Sequence, residues 1–369
     1  MKKFENTLGE HFSESGTDVI VCPAFVDVHV HLREPGFSYK ETIFSGSRAA
    51  AAGGYRCVCA MPNLNPAPDS VENIGKELDI IRRDACIDVR PYATITKGRK
   101  GLEPVDIESL APLAAGFSDD GSGVDDDGLM QEAMERIAAC GSILAAHCED
   151  KRYGDTPESE WKQIERDIRL SEKTGCPYHV CHISTASSVS LIRDARKSGV
   201  NVSCETAPHY LMLCDRDIKD DGRFRMNPPL RTSADREALL EGILDGTIEI
   251  IATDHAPHSA EEKSRGYAGS VMGIVGLETA FPVLYTGLVR RGLISLDRLI
   301  ELMSINPARR FRLGTESVST VKIDISNPYV IDSGSFLSKG HSTPFDGMEV
   351  YGRCLETVID GKIIYKYSI

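Results

Sequence analysis

Short apolar runs of strand length alternate along the chain with longer stretches whose apolar residues recur at helical spacing. The predicted strands are AFVDVHVH, RCVCAMP, VRPYATI, AAGFSD, SILAAHC, PYHVCHIS, NVSCETA and IEIIATDH. Helical stretches lie between several of them, and many of these end in glycine, as helix C-termini commonly do. Eight such alternations favour a parallel (β/α)8 barrel, an α/β fold, over a doubly wound sheet.

The pattern changes after the stretch SINPARRFRLG. The segments VKIDISNPYVI and MEVYGRCLETVIDGKIIYKYSI consist of short strand-like runs separated by turn residues. Asp360 and Gly361 form the two-residue signal of a β-hairpin. We therefore predict a small β appendage after the barrel.

Composition and charge narrow the class of protein. Hydrophobic residues make up 41% and charged residues 26%, which is typical of a soluble globular protein, and no apolar run reaches the length of about 18 residues that a membrane span needs. A net charge of -13 argues against nucleic acid and anionic membranes as partners. The 11 cysteines are scattered without a C-x-x-C pair, and the N-terminal stretch lacks the apolar core of a secretion signal. We therefore expect free thiols in a reducing cytoplasm.

The first predicted strand ends in two histidines, His29 and His31. Residues i and i+2 of a strand share a face, and barrel active sites lie at the C-terminal ends of the strands. Both imidazoles are therefore expected to project into the mouth of the barrel, where they would suit a zinc-like cation. Taken alone, the pair is also compatible with two histidines that merely share a strand face.

Similar polar endings recur on other predicted strands. His179 and His182 fall on opposite strand faces, and His182, nearer the C-terminal end, is the better ligand. A single strand-end aspartate is usually a helix cap, but five such endings in one barrel favour two metal ions that share a bridging carboxylate and hydroxide. The residues concerned are Asp119, Asp120, His147, His179, His182, Asp254, His255 and His258. By default we assign structural or surface positions to His11, His209, His255 and His341.

A set of longer motifs resembles dihydroorotase, in the bacterial type I branch of the amidohydrolase superfamily. These motifs are DVHVHLREPG, MPN, SDDG, HCED, HVCHIS, MNPPLR, ATDHAPH and GIVGLETAFP, and they run in the family's order over residues 23 to 369. The resemblance implies the reversible hydrolysis of (S)-dihydroorotate to N-carbamoyl-L-aspartate in de novo pyrimidine (UMP) biosynthesis. It also implies a metal-activated hydroxide as nucleophile, with Asp254 as the general base and acid.

The resemblance further implies one or two zinc ions per chain. The ligands carried over from the family motifs are His29, His31, Asp120, His147, His182 and Asp254. The family's bridging aspartate precedes the glycine of its motif, which is Asp120 here, although the residues alone do not choose between Asp119 and Asp120.

The same resemblance implies a set of substrate contacts. Arg33 would clamp the substrate carboxylate, unless it pairs with Glu34 or Glu41 at the surface. The asparagines could otherwise be turn residues, and the glycines of EEKSRGYAGSVMGIVG could be turns or part of a mobile loop that closes over the site. The contacts implied are Arg33 and Asn63 for the carboxylate, His258 for the carboxylate or the bridging oxygen, and Asn227, Met272 and Gly273 for the ring.

Two departures from the family are visible. The β segment before the barrel is short, since 22 residues precede Pro23, and the stretch between His147 and His182 is also short. We expect residues 1-22 and 315-369 to form a small, N-terminally shortened, β-sandwich-like domain beside a barrel of residues 23-314.

Two rival interpretations stay open. Hydantoinase, dihydropyrimidinase and allantoinase resemble the chain, but they generally bridge their metals with a carboxylated lysine, and the strand concerned ends here in GFSDDG without lysine. Inactive dihydroorotase-like chains that support aspartate carbamoyltransferase lack several metal ligands, which this chain keeps. A homodimer and a complex with aspartate carbamoyltransferase are the protein partners that the resemblance allows, and dihydroorotate is the small-molecule partner.

Overall fold

The computed structural model describes residues 8-14, 17-314 and 319-368. Its strands, in chain order, are β1 (Glu10–Glu14), β2 (Thr17–Pro23), β3 (Phe25–Val30), β4 (Tyr55–Ala60), β5 (Asp88–Pro91), β6 (Leu144–Ala146), β7 (Tyr178–Val180), β8 (Val202–Thr206), β9 (Ile250–Ile251), β10 (Thr320–Asp324), β11 (Tyr329–Val330), β12 (Glu349–Val350), β13 (Arg353–Ile359) and β14 (Lys362–Lys366).

Helices follow most of the barrel strands. They are α1 (Ile43–Ala52), α2 (Val71–Asp84), α3 (Ile107–Leu110), α4 (Asp127–Ala139), α5 (Pro157–Thr174), α6 (Ala186–Lys197), α7 (Pro208–Met212), α8 (Ser233–Asp245), α9 (Ala260–Lys263), α10 (Gly266–Gly269), α11 (Ala280–Leu284), α12 (Leu296–Ile300) and α13 (Asn306–Arg310). Local sequence explains several ends: Thr42 and Ser45 form a capping box at α1, and α5 and α8 end at Gly175 and Gly246 in the left-handed conformation.

The parallel strands form the predicted (β/α)8 barrel. One sheet has the order β3-β4-β5 and another has the order β6-β7-β8-β9. Single bridges join the two sheets, since Phe117 pairs with both Ala93 and Leu144, and Val30 pairs with His255. The fourth predicted strand, AAGFSD, is therefore reduced to a bridge at Phe117. This irregular backbone carries the two aspartates that follow it.

The barrel interior is filled with side chains at the end opposite the site. Alternate residues of β3 and β4, among them Val26, Val28 and Cys57, form a buried cluster with Tyr92 and Phe311. A larger cluster lies between the strands and the surrounding helices. Strands buried on both faces explain why their sequences are almost continuously apolar. The open end of the barrel is therefore the C-terminal end of the strands, where the polar residues lie.

A five-stranded antiparallel sheet of order β1-β2-β10-β13-β14 adjoins the barrel. The predicted hairpin is confirmed, because Asp360 and Gly361, both with positive φ, connect β13 to β14. Strand β2 pairs with β10, so the two ends of the chain meet in one sheet. This pairing supports our proposal that residues 1-22 and 315-369 form one small domain beside the barrel of residues 23-314. Residues 1-7, 15-16, 315-318 and 369 of these two segments lie outside the described residues.

Two further predictions concern the whole molecule. All eleven cysteines are unpaired, as expected. Among the described residues, none of the helices combines the length and the apolar character that crossing a bilayer requires.

Candidate active site

Six side chains predicted as metal ligands converge at the C-terminal ends of the barrel strands. His29 lies in β3 and His31 just beyond it, while the others follow the Phe117 bridge, β6, β7 and β9. All are buried, with at most 7% of the residue exposed. The six are His29, His31, Asp120, His147, His182 and Asp254.

His29 and His31 face the same two carboxylates. His29 Nε2 lies 3.3 Å from Asp120 Oδ1 and 3.6 Å from Asp254 Oδ1. His31 Nε2 lies 3.1 Å from Asp254 Oδ1 and 3.5 Å from Asp120 Oδ2. The expectation that both imidazoles of the H-x-H motif project together is confirmed.

Hydrogen bonds on the far side of each ring set its tautomer. His29 Nδ1 donates to Glu205 Oε1 at 2.8 Å, and His31 Nδ1 donates to Asn63 Oδ1 at 2.8 Å. Each donation leaves Nε2 as the nitrogen that carries a lone pair. Both lone pairs therefore point at the carboxylates, an arrangement that calls for a cation between them.

His147 and His182 face the same oxygen of Asp120 as His29 does. The distances from Asp120 Oδ1 to His147 Nδ1 and to His182 Nε2 are both 3.7 Å. The two ring nitrogens are 2.9 Å apart, and the second nitrogen of His147 lies 3.0 Å from Glu149 Oε2. Asp120 thus joins the two pairs of histidines, since its Oδ1 lies within 3.7 Å of His29, His147 and His182 while its Oδ2 faces His31.

Two polar atoms in the centre of the cluster are buried without a hydrogen-bond partner among the described residues. They are His29 Nε2 and Asp120 Oδ1. Burial by itself lowers the pKa of His29, but the Asp120 carboxylate raises it well above its usual value, so a proton and a metal ion compete for the lone pair on Nε2. Burial raises the pKa of Asp254, whereas His31, His29 and His182 together hold it well below its usual range. The centre therefore concentrates negative charge that a cation would balance.

The structure separates the two aspartates that the sequence left equivalent. Asp119 Oδ1 accepts hydrogen bonds from the backbone N–H groups of Ile95 at 2.8 Å and Thr96 at 3.1 Å. Asp119 therefore holds the preceding loop, while Asp120 points into the cluster. His179 does not join the cluster, because its nitrogens contact Ser203 Oγ at 2.8 Å and Glu205 Oε2 at 3.1 Å. It nevertheless faces the barrel interior, where it shares Glu205 with His29 and packs against Phe311, so the prediction that His179 and His182 lie on opposite faces is wrong. The positive φ of His182 interrupts the strand alternation on which that prediction was based.

Strained backbone is concentrated in this site. Within the described ranges six non-glycine residues have positive φ, and three of them are Arg33 at 60°, His182 at 34° and Asp254 at 48°. Such conformations cost about 1-3 kcal/mol each and persist where the surroundings enforce them, often at functional sites. The strain supports a role for these three side chains in function.

Arg33 is buried beside the cluster without an ion pair to a carboxylate in the described part of the chain. Its Nε donates to Pro257 O at 3.2 Å, and its Nη2 lies 3.3 Å from His258 Nε2. The surface pairs that we considered are not formed, because Glu34 accepts from Ile43 N at 2.9 Å and Glu41 accepts from Lys339 N at 3.2 Å. A buried guanidinium without an anion indicates a site for an anionic ligand.

The remaining predicted contacts lie around the same opening. Asn227 Nδ2 donates to Glu149 Oε2 at 3.2 Å and lies 3.4 Å from His147 Nε2. Gly273 packs against His258, since a Cβ built there would lie 2.9 Å from Nε2 of that ring. Met272 precedes it at the partly exposed edge of the loop.

The loop predicted to be mobile contains α9 and α10. Lys263 Nζ donates to the backbone carbonyls of Arg225 at 3.0 Å, Val271 at 2.7 Å and Gly273 at 2.7 Å. These bonds hold the loop against the barrel in this state, and closure over a substrate stays a prediction.

Sequence reasoning missed three charged residues of the site: Glu205, Glu149 and Lys40. Glu205 is an acid inside the apolar strand β8, which is a usable signal, but its contact with His29 spans 176 residues. Glu149 is part of the HCED motif, but the sequence analysis assigned it no role. Lys40, whose Nζ lies 3.1 Å from His258 Nδ1, carried no recognisable pattern.

Comparison of the sequence with known proteins points to one family. The family model described as "Dihydro-orotase-like" matches residues 18–188. The dihydroorotase of Fusobacterium nucleatum subsp. nucleatum is 47% identical over 370 residues, which cover 94% of this chain and 87% of the relative. The dihydroorotase of Geobacillus thermodenitrificans is 46% identical over 387 residues, which cover 96% of this chain and 90% of the relative.

Solved structures share the architecture. L-Hydantoinase (dihydropyrimidinase) from Arthrobacter aurescens superposes with a TM-score of 0.85 at 26% identity, covering 95% of this chain and 86% of that chain. Dihydropyrimidinase from Brevibacillus agri gives a TM-score of 0.83 at 22% identity over 94% of this chain and 85% of that chain, which shows the fold alone.

Proposed function

This chain belongs to the dihydroorotase family of cyclic amidohydrolases, and from that membership we infer that it interconverts (S)-dihydroorotate and N-carbamoyl-L-aspartate in pyrimidine biosynthesis. The single structural observation that supports dihydroorotate as the substrate within that family is the buried Arg33 beside a cluster of four histidines and two aspartates. The cluster suits hydrolysis of an amide, and the arginine suits the carboxylate that distinguishes dihydroorotate from neutral cyclic amides.

We propose that the cluster holds one or two zinc ions. The residues fit such a group, because imidazole and carboxylate donors suit zinc and because His29 Nε2 and Asp120 Oδ1 are buried without partners within the described residues. His29, His31 and Asp254 would form one half of the centre, and His147 and His182 the other, with Asp120 between them. When bound, the metal would supply acidity to a water molecule and polarise the scissile carbonyl.

We propose Asp254 as the residue that moves the proton. Its Oδ1 lies within 3.1 Å of His31 Nε2 at the centre of the opening, and its backbone is held in a strained conformation. Because its low pKa keeps it ionised, Asp254 can accept a proton from the attacking water and deliver it to the ring nitrogen that leaves. Ring closure runs through the same carboxylate in the opposite direction.

We propose that the substrate is oriented from its two sides. Arg33, Asn63 and His258 would hold the carboxylate, and Asn63 would use its amide nitrogen because its oxygen is engaged by His31. Asn227, Met272 and Gly273 would contact the ring amide edge. The carboxylate clamp thereby fixes the scissile bond over the cluster.

The rival functions receive less support. Hydantoin and dihydrouracil lack the carboxylate that would satisfy Arg33, and Asp120 stands where a carboxylated lysine would bridge the metals. An inactive scaffold is disfavoured because all six proposed ligands are present and converge.

Association and compartment stay proposals. A homodimer and a complex with aspartate carbamoyltransferase rest on family membership, and the mass of the protein alone and mixed with the carbamoyltransferase tests both. A reducing cytoplasm is supported by the eleven unpaired cysteines.

The proposed function is tested by measuring ring opening of dihydroorotate, hydantoin and dihydrouracil by the zinc-loaded protein and by the same protein after chelation. We expect turnover of dihydroorotate that is lost on chelation and recovered with zinc. Preference for hydantoin would show a hydantoinase, and absence of turnover with any substrate after zinc addition would show a scaffold.

A further inference from the structure

His258 lies between two side chains that can only donate hydrogen bonds. Lys40 Nζ is 3.1 Å from His258 Nδ1, and Arg33 Nη2 is 3.3 Å from His258 Nε2. Ammonium and guanidinium groups have no acceptor, whereas a neutral imidazole offers one acceptor and one donor. One of the two contacts must therefore bring two donors face to face.

The contact with Lys40 is the one that forms a hydrogen bond. It is the shorter of the two, and the competing acceptor for a proton on Nδ1, Glu262 Oε2, is 3.5 Å away. The Glu262 carboxylate is already engaged by Lys40 Nζ at 2.9 Å and by the backbone N–H of Ser259 at 3.0 Å. Nδ1 of His258 therefore accepts from Lys40, and the proton resides on Nε2.

The charge state of the ring agrees with this assignment. Burial, followed by the positive charges of Arg33 and Lys40, lowers the pKa of His258 to about 3. The ring is therefore neutral at physiological pH and carries a single proton.

Placing that proton on Nε2 creates a site for an anion. The Nε2–H of His258 and the Nη2–H groups of Arg33 then point at one another, and neither has an acceptor among the residues that the structure describes. A carboxylate at this position would accept from both. Gly273 closes one side of this position, because a Cβ there would lie 2.9 Å from His258 Nε2.

We propose that Lys40 is a positioning residue that fixes the tautomer of His258, so that Nε2–H faces the carboxylate of the substrate. This role of Lys40 rests on the proposed function, and it makes Lys40 a specificity determinant for a substrate with a carboxylate. Lys40 itself does not touch the substrate: it acts through His258, and its side chain is 13% exposed on the loop after β3.

A purely structural role is the alternative. Lys40 and Tyr39 both contact Glu262 of α9, with Tyr39 Oη donating to Oε1 at 3.2 Å, so this cluster also ties two loops together. If Lys40 only held the two loops together, its replacement would change the stability of the loops and all kinetic parameters. Tautomer control affects the ring proton and the binding of the carboxylate.

The first experiment measures the tautomer in the ligand-free wild type, so that it needs no variant. The protein is labelled with 15N at its ten histidines, and the His258→Asn variant identifies the resonances of His258. We expect an acceptor-type Nδ1 and a protonated Nε2. A proton on Nδ1 would overturn the proposal.

The second experiment compares Lys40→Met and Lys40→Arg in the zinc-loaded enzyme with dihydroorotate. A hydrogen bond to a charged group is worth about 1.5-3 kcal/mol, so we expect Lys40→Met to raise KM roughly 10-100-fold, with kcat changed by less than about 3-fold. Lys40→Arg keeps a donor and should recover most of the loss. Lys76→Met serves as the matched control, since Lys76 also pairs with a glutamate, Glu72 at 2.8 Å, but on α2 outside the site.

The outcomes are separable. An unchanged KM in Lys40→Met, or a loss of kcat and thermal stability that Lys40→Arg does not restore, would overturn the role in tautomer control. A wild type that does not turn over dihydroorotate would instead overturn the proposed function, while the histidine spectrum would still report whether Lys40 sets the His258 proton.

Discussion

Replacing Glu205 by glutamine tests how the fold prepares His29 to bind a metal. Glu205 is 1% exposed, and its two oxygens accept from His29 Nδ1 at 2.8 Å and from His179 Nε2 at 3.1 Å. Burial raises the pKa of Glu205, but the two histidines together lower it to about 2, so the group is an anion at neutral pH. Glutamine has one acceptor oxygen and no charge, and it can satisfy only one of the two donors as they stand.

The size of the effect follows from these two contacts. Mutating a hydrogen-bond partner of a metal-bound histidine typically weakens metal binding about 10-100-fold, or roughly 1.4-2.7 kcal/mol. The charge-assisted hydrogen bond to the second histidine adds about 1.5-3 kcal/mol to the free energy of unfolding. We therefore expect Glu205→Gln to lose zinc affinity within this range and to unfold at a lower urea concentration.

The assay is competition for zinc between the protein and a chelator of known affinity, with urea unfolding of the metal-free protein measured separately. Glu77→Gln is the matched control. Glu77 is also 1% exposed, its Oε2 has no partner among the described residues, and burial raises its pKa well above the usual value. Glu77 lies on α2, outside the site, so zinc affinity should not change. Wild-type affinity in Glu205→Gln, or an equal loss in Glu77→Gln, would refute the reasoning.

Two further predictions concern substrate binding and stability. Gly273→Ala places a Cβ 2.9 Å from His258 Nε2 at a φ of 132°, so KM for dihydroorotate should rise at least about 10-fold. The control is Gly75→Ala, which adds a Cβ in open space on α2 and should stabilise the protein by about 0.5-1 kcal/mol. Equal effects of the two variants on KM would contradict the prediction. Burial raises the pKa of Glu278 from 4.5 to about 7, which exceeds the unfolded value, so the folded state keeps a proton that the unfolded state has lost. The difference in free energy of unfolding between the wild type and Glu278→Gln should therefore fall by roughly 3 kcal/mol as the pH rises through this window; urea unfolding of both proteins at pH 4.5 and pH 8 checks this, and a parallel dependence in both proteins would exclude it.

The parts of the site that could be predicted from sequence are those governed by local periodicity. The period of two in a strand places His29 and His31 together, and the structure confirms this. The Asp360-Gly361 turn is equally local. In each case neighbouring residues determine the result.

The parts that could not be predicted depend on irregular backbone or distant contacts. The sequence alone does not choose between Asp119 and Asp120, because the preceding Phe117 forms only single bridges and the alternation of a regular strand does not apply there. Glu205 and Lys40 act on histidines 176 and 218 residues away in the sequence, and only the folded barrel brings them together. Long-range hydrogen bonds of this kind set the tautomers of His29 and His258.

The central claim is that side chains gathered at the barrel rim hold a cation and that Asp254 moves the proton of the reaction. The most direct test combines the zinc content per chain with dihydroorotate turnover for the wild type and for Asp254→Ala. We predict about one to two zinc ions per wild-type chain, as the donor set indicates, and a loss of turnover of at least about 100-fold in the variant. A metal-free wild type that still opens dihydroorotate, or an Asp254→Ala protein with wild-type turnover, would contradict the account.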